Sequence, residues 1–287
     1  MATTKRERQK ASRREKMDRR QREARRRRAF RRGVIAAVIG AVVIASAALI
    51  FSGGSTPTTT TTTTVASTTT TTVAPTTTTT LSAAFVAAQT SANNAAVAAG
   101  CPKSPTTRVN TLTWTLQPNL SIKATGTYYA HVATTAGDFV IHLLADKAPL
   151  TVNNFIFLAE HKYYNCVIFH RVIKGFVIQG GDPTGTGTGT PGYTIGDELP
   201  ATGHPTYPLY SVAMANEGTA NTGGGQFFIV SGTSGESLPA SYSLFGQVVS
   251  GQSVLATINS EGGPLSSQTG TPYVIQRMLT VTISSTP

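Results

Sequence analysis

Phe169-His170-Arg171-Val172-Ile173-Lys174-Gly175-Phe176-Val177-Ile178-Gln179-Gly180-Gly181-Asp182 is the stretch on which the reading of this chain turns. Side chains alternate along a strand, so Phe169, Arg171 and Ile173 are expected on one face and His170 and Val172 on the other. Gly175 supplies a bend, after which Phe176 and Ile178 alternate against Val177 and Gln179. Gly180-Gly181-Asp182-Pro183 ends the second strand with turn-forming residues. One cation, one aromatic ring and one amide are thus set close together on short strands. His170 faces away from Arg171 and reads as a packed histidine rather than a general base. Asp182 reads as the residue that fixes the Gly-Gly turn.

Two later blocks extend the pattern. The first is Met214-Ala215-Asn216 followed by Asn221-Thr222-Gly223-Gly224-Gly225-Gln226-Phe227-Phe228-Ile229. The second is Leu238-Pro239-Ala240-Ser241-Tyr242-Ser243-Leu244-Phe245-Gly246-Gln247-Val248. Together, and in this order, the three blocks resemble the cyclophilins, the peptidyl-prolyl cis/trans isomerases, over roughly Tyr128 to Ile283. The resemblance implies rotation of X-Pro bonds in proline-containing polypeptides, with no cofactor, metal, nucleotide or covalent intermediate. It implies Arg171, Phe176 and Gln179 as the catalytic set. Val177, Phe228, Leu238 and Tyr242 would complete an apolar cup for the proline ring around Phe176. Gln226 would help Gln179 to orient Arg171, and the backbone of Asn216, beside Ala215, would pair with an extended substrate.

Three positions depart from the family's commonest pattern: Val177 stands for methionine, Ser237 for tryptophan and Tyr242 for histidine. The missing tryptophan is expected to weaken cyclosporin-type inhibition. Glu217, beside the cup, would favour basic substrate residues. The competing reading is a proline-peptide-binding chaperone or scaffold module without turnover. Such a module would have no use for Arg171 and its partners.

Short alternating apolar runs dominate the region: 128–134, 139–144, 167–173, 176–179, 212–215, 226–230, 244–249 and 273–283. Separated by Gly, Pro and Asn turns, they predict an antiparallel barrel or sandwich. Thr151 is expected to cap one helix, with Val152, Phe155, Ile156 and Ala159 on its stripe. Val254, Leu255 and Ile258 form the stripe of another. The family's fold is an eight-stranded antiparallel β-barrel capped by two α-helices, so the domain is expected to be mainly β. Gly185-Thr186-Gly187-Thr188-Gly189 lacks the Lys-Ser/Thr and helix of a phosphate loop and reads as a binding-rim loop. Asp197, Glu198 and His204 fit no metal spacing.

The net charge of +11 would suit a nucleic-acid binder, but its location excludes that reading. Residues 1–32 carry 16 of the 24 Lys+Arg and 4 of the 13 Asp+Glu, so the remaining 255 residues are close to neutral. The tail abuts Val34 to Phe51, 18 uncharged residues, slightly short of the ~20 apolar residues that span a bilayer. Basic residues on one side place the N-terminus in the cytoplasm. The domains expected are a basic cytoplasmic tail (1–32), a transmembrane anchor (33–52), a Thr/Ala-rich linker (53–100) and the catalytic domain (101–287). A cleaved signal peptide is the alternative for 34–51, with Ala45-Ser46-Ala47 as its small-residue site. Either way the body is exported, and the anchored reading makes it a single-pass membrane protein with a monomeric, extracytoplasmic catalytic domain.

Between Thr56 and Thr80, 18 of 25 residues are threonine, too polar to fold alone. The tract reads as an extended stalk of the threonine-proline kind that is often O-glycosylated. Leu81 to Ala99 is alanine-rich and is expected to form a short helix, with no clear apolar face repeating. Cys101 and Cys166, both on the exported side, are expected to form one disulfide.

Overall fold

The computed structural model describes residues 81–201, 206–267 and 269–287. The basic tail, the expected anchor, the threonine tract and His204 lie outside the described residues. Among the described residues no helix is long and apolar enough to cross a membrane.

Among the described residues the domain is mainly β, with eight strands in one sheet, every neighbouring pair antiparallel. They are β1 (Tyr128–Thr134), β2 (Gly137–Leu143), β3 (Arg171–Ile173), β4 (Val177–Gly180), β5 (Ser211–Met214), β6 (Phe227–Val230), β7 (Leu244–Ser250) and β8 (Met278–Ser284). Their order across the sheet is β3-β4-β6-β5-β7-β2-β1-β8. The two edges of the ladder meet just outside the terminal strands. There Phe169 N donates to Gln276 O (3.0 Å) and Met278 N to Val167 O (2.8 Å).

β1 and β2 show the period of two directly: Ala130, Val132, Phe139, Ile141 and Leu143 are buried, and the residues between them are not. β5 and β6 are buried along their whole length, as the unbroken run Phe227-Phe228-Ile229-Val230 requires. Phe227 and Ile229 enter the main core with Ile178, Val212 and Met214. Phe228 and Val230 face the other way, into a smaller cluster with Val177, Tyr207 and Ala213. That second cluster is what makes room for a site on the outer face of the sheet.

Helix α2 (Pro149–Glu160) buries Val152, Phe155, Ile156 and Ala159, as its stripe predicts. Phe155 packs against Phe227 and Phe245 with ring centroids 5.5 and 5.3 Å away. Thr151 is not its cap. The helix starts earlier, with Pro149 in its first turn, and Ala148 at the cap has no side-chain acceptor. The Glu198 carboxylate fills that role, accepting from Leu150 N (2.9 Å) and from Thr151 N and Oγ1 (both 2.8 Å). A carboxylate at a helix N-terminus satisfies free N–H groups and the positive end of the dipole together. Helix α4 (Gln252–Ser260) buries Leu255 and Ile258, with Val254 partly buried on the same core. A four-residue helix, α3 (Thr233–Glu236), precedes Leu238.

The expected linker 53–100 differs in its C-terminal part. Ala83–Ala98 forms a helix, α1, that buries Ala92 and Ala96. It holds to the segment before β8: Phe85 stacks on Tyr273 (5.1 Å between centroids), and Gln89 Oε1 accepts from Ile275 N (2.7 Å). Small side chains let it approach closely, which an amphipathic-stripe argument does not detect. Cys101 and Cys166 are disulfide-bonded, with S–S 2.07 Å and Cα–Cα 5.4 Å.

Candidate active site

The register of four strands builds one row of side chains. Arg171 on β3 pairs with Gln179 on β4, Gln179 with Phe228 on β6, and Phe228 with Ala213 on β5. Residues directly opposite one another share a face, so these four lie side by side on the outer surface of the sheet. The alternation expected across 169–173 holds only inside β3. Phe169 joins Val172 in the main core, because the regular strand begins at Arg171 and the chain turns before it. Phe176 likewise precedes β4, so it does not follow Ile178 inward. It packs with Val177 in the outer cluster, while Ile178 enters the main core.

A cavity of about 160 Å³ opens on this face, lined by Arg171, Phe176, Val177, Gln179, Ala215, Asn216, Phe228, Leu238 and Tyr242. Nine of the ten expected substrate-site residues therefore surround one space. Phe228 is the floor, 5 % exposed, with Tyr242 edge-on to it at 5.1 Å. The Arg171 guanidinium carbon sits 5.7 Å from the Phe176 ring centroid. Its Nη1 donates a long hydrogen bond to Gln179 Oε1 (3.5 Å). Burial pulls the Arg171 guanidinium below its ordinary value, and Tyr242 acts in the opposite direction. Arginine stays charged under such a shift, so the cavity holds a partly desolvated cation beside an apolar floor.

Gln226, the tenth residue, lines a second cavity of about 170 Å³ that shares Gln179, Ala215 and Asn216 with the first. It accepts from Gln179 Nε2 (3.2 Å) and donates its own Nε2 to Gly187 O (2.9 Å) and Gly189 O (3.1 Å). Arg171 is thereby linked through two glutamines to the Gly-Thr loop. Asp182 does more there than fix a turn. Its carboxylate accepts from Thr184 N (2.7 Å), Gly187 N (2.7 Å), Gly189 N (3.0 Å) and Thr186 N (3.2 Å). Burial opposes its ionisation, but the hydrogen bonds from Thr184, Gly189 and Gly187 prevail and hold its carboxyl below the ordinary range. Gly181 is needed beside it: its φ is +89°, and a Cβ would lie 2.4 Å from Gly225 O.

His170 is half-buried, and burial lowers its pKa against the pull of Asp182. Asn216 Nδ2 donates to Ser241 O (2.9 Å), tying the Ala215-Asn216 wall to the Tyr242 loop. Glu217 is exposed on the rim of the second cavity. Ser237 is exposed at the end of α3 and does not line the pocket. Asp197 is engaged by Asn221, accepting from its main-chain N (2.7 Å). Among the described residues no group of three or more His, Cys, Asp or Glu is placed to hold a metal.

Tyr207 escaped the sequence reading. It is fully buried behind the cavity, donates from its hydroxyl to Tyr242 O (2.9 Å) and accepts from Tyr242 N (2.9 Å). It thus fixes the loop that carries Tyr242. Its only sequence signal was an aromatic residue in a proline-bounded loop, Pro205-Thr206-Tyr207-Pro208.

Residues 129–282 match the family model described as cyclophilin type peptidyl-prolyl cis-trans isomerase/CLD. The chain is 41% identical over 148 residues to peptidyl-prolyl cis-trans isomerase A of Mycobacterium tuberculosis, covering 45% of this chain and 77% of that one. It is 44% identical over 140 residues to peptidyl-prolyl cis-trans isomerase B of Streptomyces anulatus, covering 42% and 75% respectively. Among solved structures, a cyclophilin type peptidyl-prolyl cis-trans isomerase of Cryptosporidium parvum superposes with a TM-score of 0.50 at 33% identity. That superposition covers 56% of this chain and 99% of the other.

Proposed function

The chain belongs to the cyclophilin-type peptidyl-prolyl cis-trans isomerases, and on that premise we propose how its pocket acts and where. Resonance stiffens the X-Pro amide and sets a rotation barrier of about 20 kcal/mol. Twisting breaks the resonance and leaves a lone pair on the prolyl nitrogen. A donor aimed at that nitrogen binds the twisted state better than either planar one, which is what acceleration requires. Arg171 is that donor. Phe176, Val177, Phe228, Leu238 and Tyr242 hold the proline ring, Gln179 and Gln226 set the guanidinium, and the Asn216 backbone pairs with the peptide on either side of the bond. Rotation forms and breaks no covalent bond, so these groups suffice.

The observation that carries this reading is the single cavity that brings Arg171 within reach of an aromatic floor and of Gln179. The test is NMR exchange on a short Ala-Pro peptide with the full chain, wild type beside Arg171→Ala. Fast exchange lost in the variant is the expected result. Equal rates would assign the chemistry to another group, and peptide binding without accelerated exchange would favour a holding role for the pocket.

The enzyme works outside the cytoplasm, tethered by 33–52 with its basic tail inside and the threonine stalk between, and serves proline-containing exported or envelope polypeptides. The apolar run beside a basic tail and the Cys101–Cys166 disulfide support this placement. The eight-stranded antiparallel sheet, its edges joined just outside β3 and β8, with helices α2 and α4, is the unit so displayed. Accessibility of an engineered tag at each terminus to protease, in intact cells, tests the topology; digestion of an N-terminal tag would reverse it.

A further inference from the structure

The Gly-Thr loop that receives Gln226 is held at both of its roots by a segment lying outside the family match. Val109 N donates to Pro183 O (3.0 Å), and Trp114 N to Pro191 O (2.8 Å). The two backbones approach closely at this contact: Gly192 has φ +93°, and a Cβ there would lie 2.6 Å from Trp114 O. Between the two roots, Gly187 O and Gly189 O accept from Gln226. Gln226 accepts from Gln179, and Gln179 from Arg171.

We infer that residues 109–114 are a positioning element for Arg171, acting through the Gly-Thr loop, Gln226 and Gln179. The inference rests on the role given to Arg171 above. The segment is itself firmly seated. Asn110 Nδ2 donates to Tyr163 O (2.9 Å), and the Trp114 ring packs on Phe157, His161 and Tyr163 with centroids 5.1, 5.6 and 6.1 Å away. Upstream, Arg277 is 1 % exposed and donates to Pro102 O (2.5 Å), Asn93 Oδ1 (3.1 Å) and Lys103 O (3.3 Å). Arg277 also bridges to Ile168, three residues before Arg171, and Cys166 is disulfide-bonded to Cys101. The extension therefore grips the loop on one side of Arg171 and the chain entering β3 on the other. Among the described residues the guanidinium is held by one 3.5 Å hydrogen bond to Gln179 and by the Phe176 ring, so support two residues away bears on its aim.

The test compares Trp114→Ala, Trp114→Phe and Asn110→Ala in the full chain, with Arg171→Ala alongside. Isomerisation kinetics and the side-chain amide resonances of Gln226 and Gln179 are read together. Misplacement of a reacting group by an ångström can cost about a hundredfold, so Trp114→Ala is expected to lower kcat by roughly tenfold with KM little changed. The Gln226 amide should shift, and Trp114→Phe should restore most of both signals. Asn110→Ala, which removes the side-chain hydrogen bonds to Tyr163 O and from Leu112 N and leaves the ring packing, should show the same changes in smaller measure and remains available if Trp114→Ala does not fold. A shifted Gln226 resonance with unchanged kcat overturns the inference, as does a rate loss that only tracks the unfolded fraction. If Arg171→Ala itself keeps wild-type rates, the reading of Arg171 fails instead.

Discussion

The strand row that carries Arg171 and the N-terminal segment that braces it are held by different means. In the row, position follows from register: Arg171, Gln179, Phe228 and Ala213 face one another because β3, β4, β6 and β5 pair as they do. The segment 99–127 has no ladder. Its backbone is satisfied piecemeal by Pro183, Pro191 and the side chains of Asn153 and Arg277, and one covalent bond ties it down. The difference teaches that chemistry here is placed by local, periodic structure, while the aim of that chemistry depends on contacts with no periodicity.

The sharpest way to break this comparison is to release the segment. Cys101→Ser with Cys166→Ser opens a loop spanning a sequence separation of 65, worth roughly 4 kcal/mol in the chain-entropy model. Urea unfolding should show that loss, and an unchanged midpoint would mean the segment is held without its covalent tie. Next in size, Arg171→Ala should lower kcat/KM by about 10²–10³, the cost of losing one preorganised donor, with the melting temperature nearly unchanged. A matching loss of stability would instead make Arg171 part of the scaffold. Arg277→Met should destabilise by about 1–3 kcal/mol by leaving the Pro102 and Lys103 carbonyls without their donor. Thermal unfolding with and without the disulfide would show whether the two anchors act together.

Smaller again, Tyr207→Phe removes the hydroxyl that bonds Tyr242 at both its N and its O, and should cost on the order of 1 kcal/mol. Its KM should rise more than its kcat falls, because it loosens the proline wall and leaves Arg171 alone. The smallest effect is in pH. Burial lowers the pKa of His170, so the unfolded chain takes up a proton that the folded chain resists. Stability should therefore fall as pH drops below the ordinary histidine value of 6.5. Asp182, also lowered, adds a further loss once pH falls below 3.8. Melting temperature against pH, repeated with His170→Phe, checks the first part: the variant should lose the slope near 6.5 and keep the acid limb.

Much of the active face was legible before any coordinates. The eight apolar runs correspond to the eight strands, and the residues named for the pocket meet in one cavity or at its shared wall. The misreadings are local and have local causes. Thr151 looked like a cap, because the carboxylate that fills that role, Glu198, lies 47 residues away. Phe169 and Phe176 were assigned faces by alternation, yet both sit just outside regular strand, where alternation has no force. Tyr207 gave almost no pattern to read, being a lone loop aromatic, whereas the short helix expected in the alanine-rich segment is found as α1, 16 residues long, with two buried positions that no apolar stripe announces.

By itself the sequence determined what is periodic or chemically singular: the strands, the two amphipathic helices, the identity of the cation and the rings around it, the basic tail and the threonine stalk. Those are properties of neighbours along the chain, which alternation, helical spacing and composition report directly. Only the tertiary structure decided the path of residues 99–127, the caging of Asp182 by the Gly-Thr loop, and the chain of bonds from Trp114 to Arg171. Each of these joins groups distant in sequence through backbone donors and acceptors that every residue possesses. No residue type at any spacing announces such a bond in advance.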